Sequence, residues 1–318
     1  MQPFVRPDVR AFLDRQRDRP HVLATAEILP QIRKMSVEML TQLDAPAGDI
    51  AIARDVTVPG AAGELKARFF DSREAREPGP VVVYIHGGGF SNLGMETHTP
   101  LACEVARRLD LPVISVSYRL APENPWPAAP DDVEATCRWI AANGAAFGRE
   151  FTGLVLGGDS AGGNLAAVTA MAMRDAPAQV PVVLQILLYP KMDWGGDYES
   201  DRLFRNGYGM DEANIRLHDV HYAPDASHWR ASPVRGDQSG MPATLMVTAS
   251  LDPLRDEGRG YAERCIAAGV PTTFREARGQ IHGFATFRGV IPSAARDVED
   301  ALSTARRMLD EALAAPFW

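Results

Sequence analysis

The sequence predicts an α/β protein whose mostly parallel sheet is covered by helices on both faces. Short and almost fully apolar runs alternate with helical segments over most of the chain. Such runs are typical of strands buried on both faces, and intervening helices are typical of parallel crossovers. The chain has 318 residues, 46% hydrophobic and 23% charged, which is long enough to bury a large core.

Residues 1–47 are predicted to be helical. Pro30 suits the first turn of a helix. Apolar residues follow it at the spacing of one helical face, namely Ile32, Met35, Met39, Leu40 and Leu43.

The pattern then changes to strands. Residues 50–59 and 64–70 alternate apolar and polar side chains, as half-buried strands do. Pro59, Gly60 and Gly63 supply the turn between them, so we expect an antiparallel pair.

Six apolar runs are predicted to form further strands, at 81–85, 113–116, 154–156, 182–188, 244–248 and 272–275. Helical segments are predicted between and after them, at 101–109, 131–142, 162–174, 255–268 and 293–314. No internal repeat or low-complexity tract is present in the sequence.

Residues 191–240 interrupt this alternation. They are rich in aromatic residues, histidines, glycines and acids, and they carry few strand signals. We expect them to leave the sheet and, with residues 1–47, to form a helical cap over the functional site. The sheet domain would then span 48–190 and 241–318.

Charge and hydropathy oppose several classes of function. The formal net charge is -8 and the pI is about 5.4, a balance that opposes binding to nucleic acid or to anionic membranes. No apolar stretch is long enough to cross a bilayer, and the charged first residues lack the apolar region of a secretory signal. We therefore expect a cytoplasmic protein that acts on a small molecule.

The positions of the three cysteines indicate neither a redox motif nor a catalytic cysteine. Cys103, Cys137 and Cys265 lie far apart in helical segments, and no C-x-x-C motif occurs. We expect reduced, partly buried thiols. A cysteine nucleophile would need a partnered base, which nothing near these positions suggests.

The strongest sign of chemistry is Gly158-Asp159-Ser160-Ala161-Gly162, which fits G-x-S-x-G. It follows an apolar run and precedes a helical segment, the context that a nucleophilic serine needs. The serine of such a motif lies on a sharp turn between the strand and the helix. This turn brings backbone segments close together, so the residues that flank the serine must be small. The helix start also places N–H groups near the serine, where they favour negative charge. A glycine-rich turn with an incidental serine is the alternative interpretation.

A second motif, HGGGF at residues 86–90, follows the first of the six runs. Its glycines expose backbone N–H groups without side-chain obstruction. An acyl-transfer enzyme needs such donors where a carbonyl oxygen becomes an oxyanion. We assign this role to the N–H groups of Gly88 and Gly89, with Ala161 as the third donor. A phosphate loop is not predicted because no G-K-[ST] follows, and a flexible loop is the remaining alternative.

A nucleophilic serine needs a general base. After a serine turn of this kind, an Asp or Glu and then a His follow in chain order. Four histidines lie beyond Ser160, and only His282 follows a late strand. The other three lie within 191–240, so His282 is the predicted base.

The base in turn needs a carboxylate that orients it. Asp252 follows the run 244–248, at the carboxyl edge of the predicted sheet, where ligands bind in open α/β proteins. Asp256 is the competitor, although the first turn of the next helix is its expected place. A turn or cap role before Pro253 is the alternative for Asp252.

His218 and His221 are three residues apart on one predicted helical face, a spacing at which two side chains can bind one metal ion. No third ligand at metal-like spacing is evident, so no metal is predicted.

Together, these motifs resemble those of the hormone-sensitive-lipase-like family of α/β-hydrolase esterases, in its branch with G-D-S-A-G. The resemblance covers the chain from about residue 50. It rests on the order and spacing of six segments, at 86–90, 118–123, 158–164, 189–190, 252–257 and 281–284.

The resemblance implies an α/β-hydrolase fold with an eight-stranded, mostly parallel sheet and a helical cap. It also implies carboxylesterase activity on short- to medium-chain acyl esters, without a cofactor, and places the catalytic triad on Ser160, Asp252 and His282. Gln280 departs from the less polar residue of many relatives, so we expect it to alter the pocket beside the base.

The resulting hypothesis is acyl transfer in two steps through an acyl-enzyme on the serine. A lactone, an amide or an acetylated sugar remains open as the substrate, as does a non-catalytic ligand-binding protein with the same pocket. A lipase acting at oil interfaces is disfavoured, since no amphipathic stretch rich in Trp or Phe has basic flanks. A homodimer is the one macromolecular assembly left open.

Overall fold

The computed structural model describes residues 3–17 and 22–314. In these ranges the strands are β1 (Ile52–Gly60), β2 (Gly63–Asp71), β3 (Gly79–Ile85), β4 (Val113–Val116), β5 (Phe151–Asp159), β6 (Val182–Leu188), β7 (Ala243–Leu251) and β8 (Thr272–Ile281). The α-helices are α1 (Pro7–Gln16), α2 (Leu29–Leu43), α3 (Thr99–Leu109), α4 (Ala128–Ala142), α5 (Ala161–Asp175), α6 (Glu199–Phe204), α7 (Glu212–Tyr222), α8 (Arg255–Ala267) and α9 (Pro292–Ala314).

These strands form one eight-stranded sheet in the order β1-β2-β4-β3-β5-β6-β7-β8. β2 pairs antiparallel with both β1 and β4. The other neighbouring pairs are parallel. The predicted antiparallel pair and the predicted eight-stranded, mostly parallel sheet are both confirmed.

Helices cover both faces of the sheet. One apolar core contains side chains of α4, α5 and α8, and a second contains side chains of α1, α3 and α9. Along β5, Leu154 and Leu156 belong to the first core and Val155 to the second. This alternation explains the uninterrupted apolar run, because a strand buried on both faces needs apolar side chains on each. The predicted fold class is confirmed.

The N-terminal segment contains two helices, α1 and α2, as its helical prediction requires, but 3–6, 22–28 and 44–47 are not helical. Residues 1, 2 and 18–21 of the predicted segment lie outside the described residues. α1 packs against α9 and the loop before it. Arg6, just before α1, pairs with Asp297 of α9 at 2.6 Å, and the rings of Phe12 and Phe287 are 5.1 Å apart.

α2 has Pro30 in its first turn, as predicted. Its buried residues are Leu29, Ser36 and Leu40. Met35 and Met39, on the apolar face expected from the sequence, are 65% and 43% exposed. The helix therefore buries a narrower face than the spacing of its apolar residues suggests.

Residues 191–240 leave the sheet, as predicted, and contain α6, α7 and a short 3-10 turn at Pro233–Arg235. Asp211 caps α7, because its carboxylate accepts the N–H groups of Ala213 and Asn214. Among the residues that the structure describes, no helix combines the length and apolar character needed to cross a bilayer.

Candidate active site

The predicted site residues lie on loops that meet at one edge of the sheet. β3 leads into residues 86–90, β5 into Ser160, β7 into Asp252 and β8 into His282. These strands belong to the parallel part of the sheet. Parallel strands end at the same edge, so residues far apart in the sequence come together there.

Ser160 lies on a sharp turn between β5 and α5. Its φ of 52° and ψ of -118° are strained for a residue with a side chain. A Cβ atom at either Gly158 or Gly162 would collide with the carbonyl oxygen of Ile85. The N–H of Ser160 donates to the carbonyl oxygen of Leu188 at 2.9 Å. Glycines at both positions therefore allow the close backbone approach that the turn requires.

The side chains of Asp252, His282 and Ser160 form one hydrogen-bonded series. Nδ1 of His282 lies 2.8 Å from a carboxylate oxygen of Asp252, and Nε2 lies 2.9 Å from the hydroxyl oxygen of Ser160. The other oxygen of Asp252 accepts the N–H of Leu254 at 2.8 Å, which fixes the carboxylate. A nucleophile, its base and an orienting acid need this geometry.

The electrostatics of the series favour a basic imidazole. The Asp252 side chain is 0% exposed and that of His282 is 12% exposed. Burial by itself lowers the pKa of His282, but the charge and the hydrogen bond of Asp252 outweigh it and raise that pKa above its ordinary value. The ring of Tyr189 packs edge-on against His282 with centroids 5.0 Å apart, which limits the movement of the imidazole.

The competing residues have other partners. Asp256 lies in the first turn of α8, where it accepts hydrogen bonds from the N–H of Ser200 and the guanidinium of Arg255. His228, in the segment after α7, accepts the N–H of Arg230 at 3.0 Å. Neither residue therefore takes part in the hydrogen-bonded series at the serine.

Gln280 does not have the position expected for it. Its buried amide donates to the hydroxyl of Ser293 at 3.0 Å and to the carboxylate of Asp297 at 2.9 Å. Both partners belong to α9, so the side chain faces that helix and not the pocket beside His282.

The loop after β3 has the backbone of a donor site. Gly88 and Gly89 have φ angles of 120° and 59°, which residues with side chains rarely adopt. A Cβ atom at Gly88 would collide with the carbonyl oxygen of Asn92. Within the described ranges, the N–H groups of Gly88, Gly89 and Ala161 have no hydrogen-bond acceptor. These three amides are therefore available to a ligand oxygen, and Ala161 is also the first residue of α5.

The carboxylate of Asp159 supports this loop. It accepts the N–H of Gly87 at 3.1 Å and the hydroxyl of Tyr84 at 3.0 Å, and Nε2 of His98 lies 3.2 Å away. Burial alone would raise the pKa of Asp159, but the charge of His98 and the hydrogen bonds from His98 and Tyr84 lower it. Burial alone would lower the pKa of His98, but the charge and the hydrogen bond of Asp159 raise it. A buried pair of Asp159 and His98 therefore holds Gly87, a role that the sequence did not reveal.

Two further residues contact the loop from helices outside the sheet, and sequence reasoning missed both roles. Arg33 of α2 donates to the carbonyl oxygen of Ser91 at 2.8 Å. Nδ1 of His218 in α7 lies 2.6 Å from the hydroxyl oxygen of Ser91. No local motif marks these contacts, because each joins positions far apart in the sequence. The spacing of His218 and His221 raises only the question of a metal site, and no metal is predicted from it.

The residues that could bind a metal ion are dispersed. Across 3–17 and 22–314, no group of three or more His, Cys, Asp or Glu side chains is placed to hold one. Cys103, Cys137 and Cys265 are free thiols and buried. Burial raises the pKa of Cys137 to about 12 and that of Cys265 to about 11, so these thiols are poor nucleophiles.

The sheet, the serine on its strained turn and the hydrogen-bonded aspartate and histidine are typical of the α/β-hydrolase class. A family model described as alpha/beta hydrolase fold matches residues 82–286. This range contains each of the predicted catalytic and oxyanion residues.

Known proteins are similar over most of the chain. Esterase LipI of Mycobacterium tuberculosis is 35% identical over 274 residues, which cover 80% of this chain and 82% of LipI. Carboxylesterase NlhH of the same organism is 37% identical over 253 residues, covering 77% of this chain and 79% of NlhH. The ester-hydrolase EH1AB1 from the metagenome of Lake Arreo, solved with a derivative of bipyridine phosphonate, is 34% identical with a TM-score of 0.90, over 97% of this chain and 99% of that one.

The chain belongs to the hormone-sensitive-lipase-like family of α/β-hydrolases, as its motifs predict. The predicted enzyme class, a carboxylic-ester hydrolase, is confirmed.

Proposed function

We propose that this enzyme hydrolyses short- to medium-chain acyl esters through an acyl-enzyme on Ser160, with His282 as general base and Asp252 as the orienting acid. The observation that carries the proposal is the pair of hydrogen bonds that link Asp252 through His282 to the Ser160 hydroxyl, at 2.8 and 2.9 Å. The chain-length range rests on the family resemblance.

Acylation begins when the Ser160 oxygen attacks the ester carbonyl carbon and Nε2 of His282 takes the hydroxyl proton. The carbonyl electron pair moves to the oxygen, which becomes an oxyanion. The N–H groups of Gly88, Gly89 and Ala161 bind it. Loss of one such donor costs about 2.7–4 kcal/mol of transition-state stabilisation in another serine hydrolase.

The tetrahedral intermediate then collapses. The carbonyl bond reforms, the bond to the alcohol oxygen breaks, and the imidazolium of His282 gives its proton to the leaving alcohol. Water attacks the acyl-enzyme with His282 again as base, and the carboxylic acid leaves as Ser160 recovers its proton. Asp252 stays ionised throughout and stabilises the imidazolium.

In this proposal, residues 1–47 and 191–240 are the cap, and 48–190 with 241–318 are the catalytic domain. The contacts of Arg33 in α2 and His218 in α7 with Ser91 support a cap over the site. α1 packs on α9, whereas Arg33 brings α2 into contact with the loop after β3, so α2 is placed to influence the substrate.

The test is hydrolysis of p-nitrophenyl esters, from acetate to dodecanoate, by the native enzyme and by a Ser160→Ala variant. We expect Ser160→Ala to abolish turnover of every ester and the native rate to fall for the longer chains. Ser303→Ala, at an exposed position of α9, is the matched control and should retain full activity. Native-like turnover by Ser160→Ala would refute the mechanism. A phenyl amide, a lactone and an acetylated sugar in the same panel show whether an ester is the preferred substrate.

A further inference from the structure

The imidazole of His218 lies directly on the proposed oxyanion loop. A Cβ atom built on Gly89 would lie 2.6 Å from Cγ and 2.7 Å from Nδ1 of His218. Such distances leave no room for any side chain at Gly89. The ring from α7 therefore packs against the backbone that carries one of the proposed oxyanion donors.

A hydrogen bond fixes the ring in this position. Nδ1 of His218 and the hydroxyl oxygen of Ser91 are 2.6 Å apart. Ser91 is 0% exposed, and its N–H donates to the carbonyl oxygen of Gly88 at 3.2 Å. The imidazole thus packs against the loop at Gly89 and is hydrogen-bonded to it at Ser91.

A second residue of α7 holds the next residue of the loop. Tyr222 is one helical turn after His218 and so lies on the same face of α7. Its ring stacks on Phe90 with centroids 3.9 Å apart and an interplanar angle of 9°. Phe90 has a φ of 59°, as Gly89 does. A left-handed conformation of this kind in a non-glycine residue persists only where its surroundings enforce it.

Burial, together with the neighbouring His221, lowers the pKa of His218 to about 4. The ring is therefore neutral at neutral pH and supplies packing and a hydrogen bond, not a charge.

We propose that His218 is a positioning residue for the oxyanion loop, and that α7 must be docked for the N–H groups of Gly88 and Gly89 to meet the oxyanion. The proposal rests on the function proposed above and deepens it. It makes a residue of the segment 191–240 responsible for transition-state stabilisation in addition to any effect on substrate choice.

The test compares His218→Ala with His218→Asn, whose amide can still bond the Ser91 hydroxyl. Removal of one oxyanion donor lowers kcat by about 10²–10³-fold in another serine hydrolase. A donor that is displaced but still present should cost less, so we expect His218→Ala to lower kcat by about 10- to 100-fold. KM should change by no more than about twofold. Affinity for a trifluoromethyl ketone, which forms a tetrahedral adduct, should fall in parallel with kcat/KM, whereas affinity for the product alcohol should stay unchanged. His218→Asn should recover part of the loss.

Two controls separate this role from a general loss of folding. Val220→Ala, at a 72% exposed position of α7, should leave kcat unchanged. Labelling with a p-nitrophenyl phosphonate counts the functional Ser160 sites, so kcat is expressed per active site. If His218→Ala fails to fold, Ser91→Ala removes the hydrogen bond alone and should still lower kcat with KM retained.

An unchanged kcat per site in His218→Ala, or in Ser91→Ala where His218→Ala does not fold, would overturn the positioning role. Equal losses of affinity for the ketone and the alcohol would also overturn it, because they would place His218 in ground-state binding. Failure of the proposed function would be seen separately, as native-like turnover by Ser160→Ala.

Discussion

Arg33 and Ser91 join α2 to the loop after β3 through a hydrogen bond of 2.8 Å from the guanidinium to the Ser91 carbonyl oxygen. The same guanidinium donates to the carbonyl oxygen of Ala121 and pairs with Glu123, each at 2.8 Å. One side chain therefore ties α2 to two loops, one after β3 and one after β4. His218 of α7 contacts the same Ser91, so both α2 and α7 hold this loop.

We predict that Arg33→Ala lowers kcat more than it changes KM, because the Ser91 backbone loses a charged donor while the pocket keeps its walls. Hydrogen bonds to charged groups contribute about 1.5–3 kcal/mol, so the free energy of unfolding should fall by about that amount. Urea unfolding and steady-state kinetics measure the two effects. Lys34→Ala, at the adjacent exposed position, is the control. An Arg33→Ala enzyme with native kcat would contradict the prediction.

The second prediction concerns the pH dependence of the base. In the proposed mechanism His282 must be neutral to accept the Ser160 proton, and Asp252 raises its pKa. The acidic limb of kcat/KM should therefore lie above the ordinary histidine pKa of about 6.5. Asp252→Asn removes the charge, so this limb should move to lower pH, and kcat should fall by up to about 10⁴-fold as in another triad enzyme. The check is a pH profile of each protein; an unmoved limb would argue against Asp252 as the orienting acid.

The third prediction concerns the backbone at the serine turn. Gly162→Ala would drive a Cβ atom into the carbonyl oxygen of Ile85, so we expect a loss of about 1–3 kcal/mol of stability and of most activity. Gly260→Ala in α8 is the matched control, since nothing lies within 4 Å of the added atom. It should keep full activity and gain up to about 1 kcal/mol, because alanine is the better helix former. Thermal unfolding and esterase assays compare the two, and equal behaviour would contradict the packing argument.

The fourth prediction concerns acid stability. Burial and the charge of His98 lower the pKa of His86 to about 4, while the unfolded chain binds that proton near pH 6.5. Stability from the neutral ring is thus present above about pH 6.5 and is lost as the pH falls towards 4. The shift corresponds to a loss of about 3 kcal/mol. His86→Asn should show a shallower decline in the free energy of unfolding over this range; parallel declines in both proteins would exclude His86 as the source.

Part of the fold and part of the candidate site could be predicted from local patterns in the sequence. The β5 run and the flanks of Ser160 are local signals, because burial on both faces and close backbone approach restrict the residues at consecutive positions. The proximity of Asp252 and His282 could be predicted because each follows a strand at the same sheet edge.

The contacts of Arg33, His98 and His218 could not be predicted in this way. Each depends on how a helix packs across the molecule, which no local spacing records. The exposure of Met35 and Met39 has the same cause, since the sequence marks an apolar face but does not reveal how much of that face becomes buried.

The burial of Cys103, Cys137 and Cys265 has a practical consequence. Thiol-directed dyes should leave the folded native enzyme unlabelled, so it has almost no background for site-specific fluorescence. A single Val220→Cys substitution, on the outer side of α7, would then accept one fluorophore. Its emission could follow the motion of that helix during turnover, without any need to remove the natural sulfur atoms.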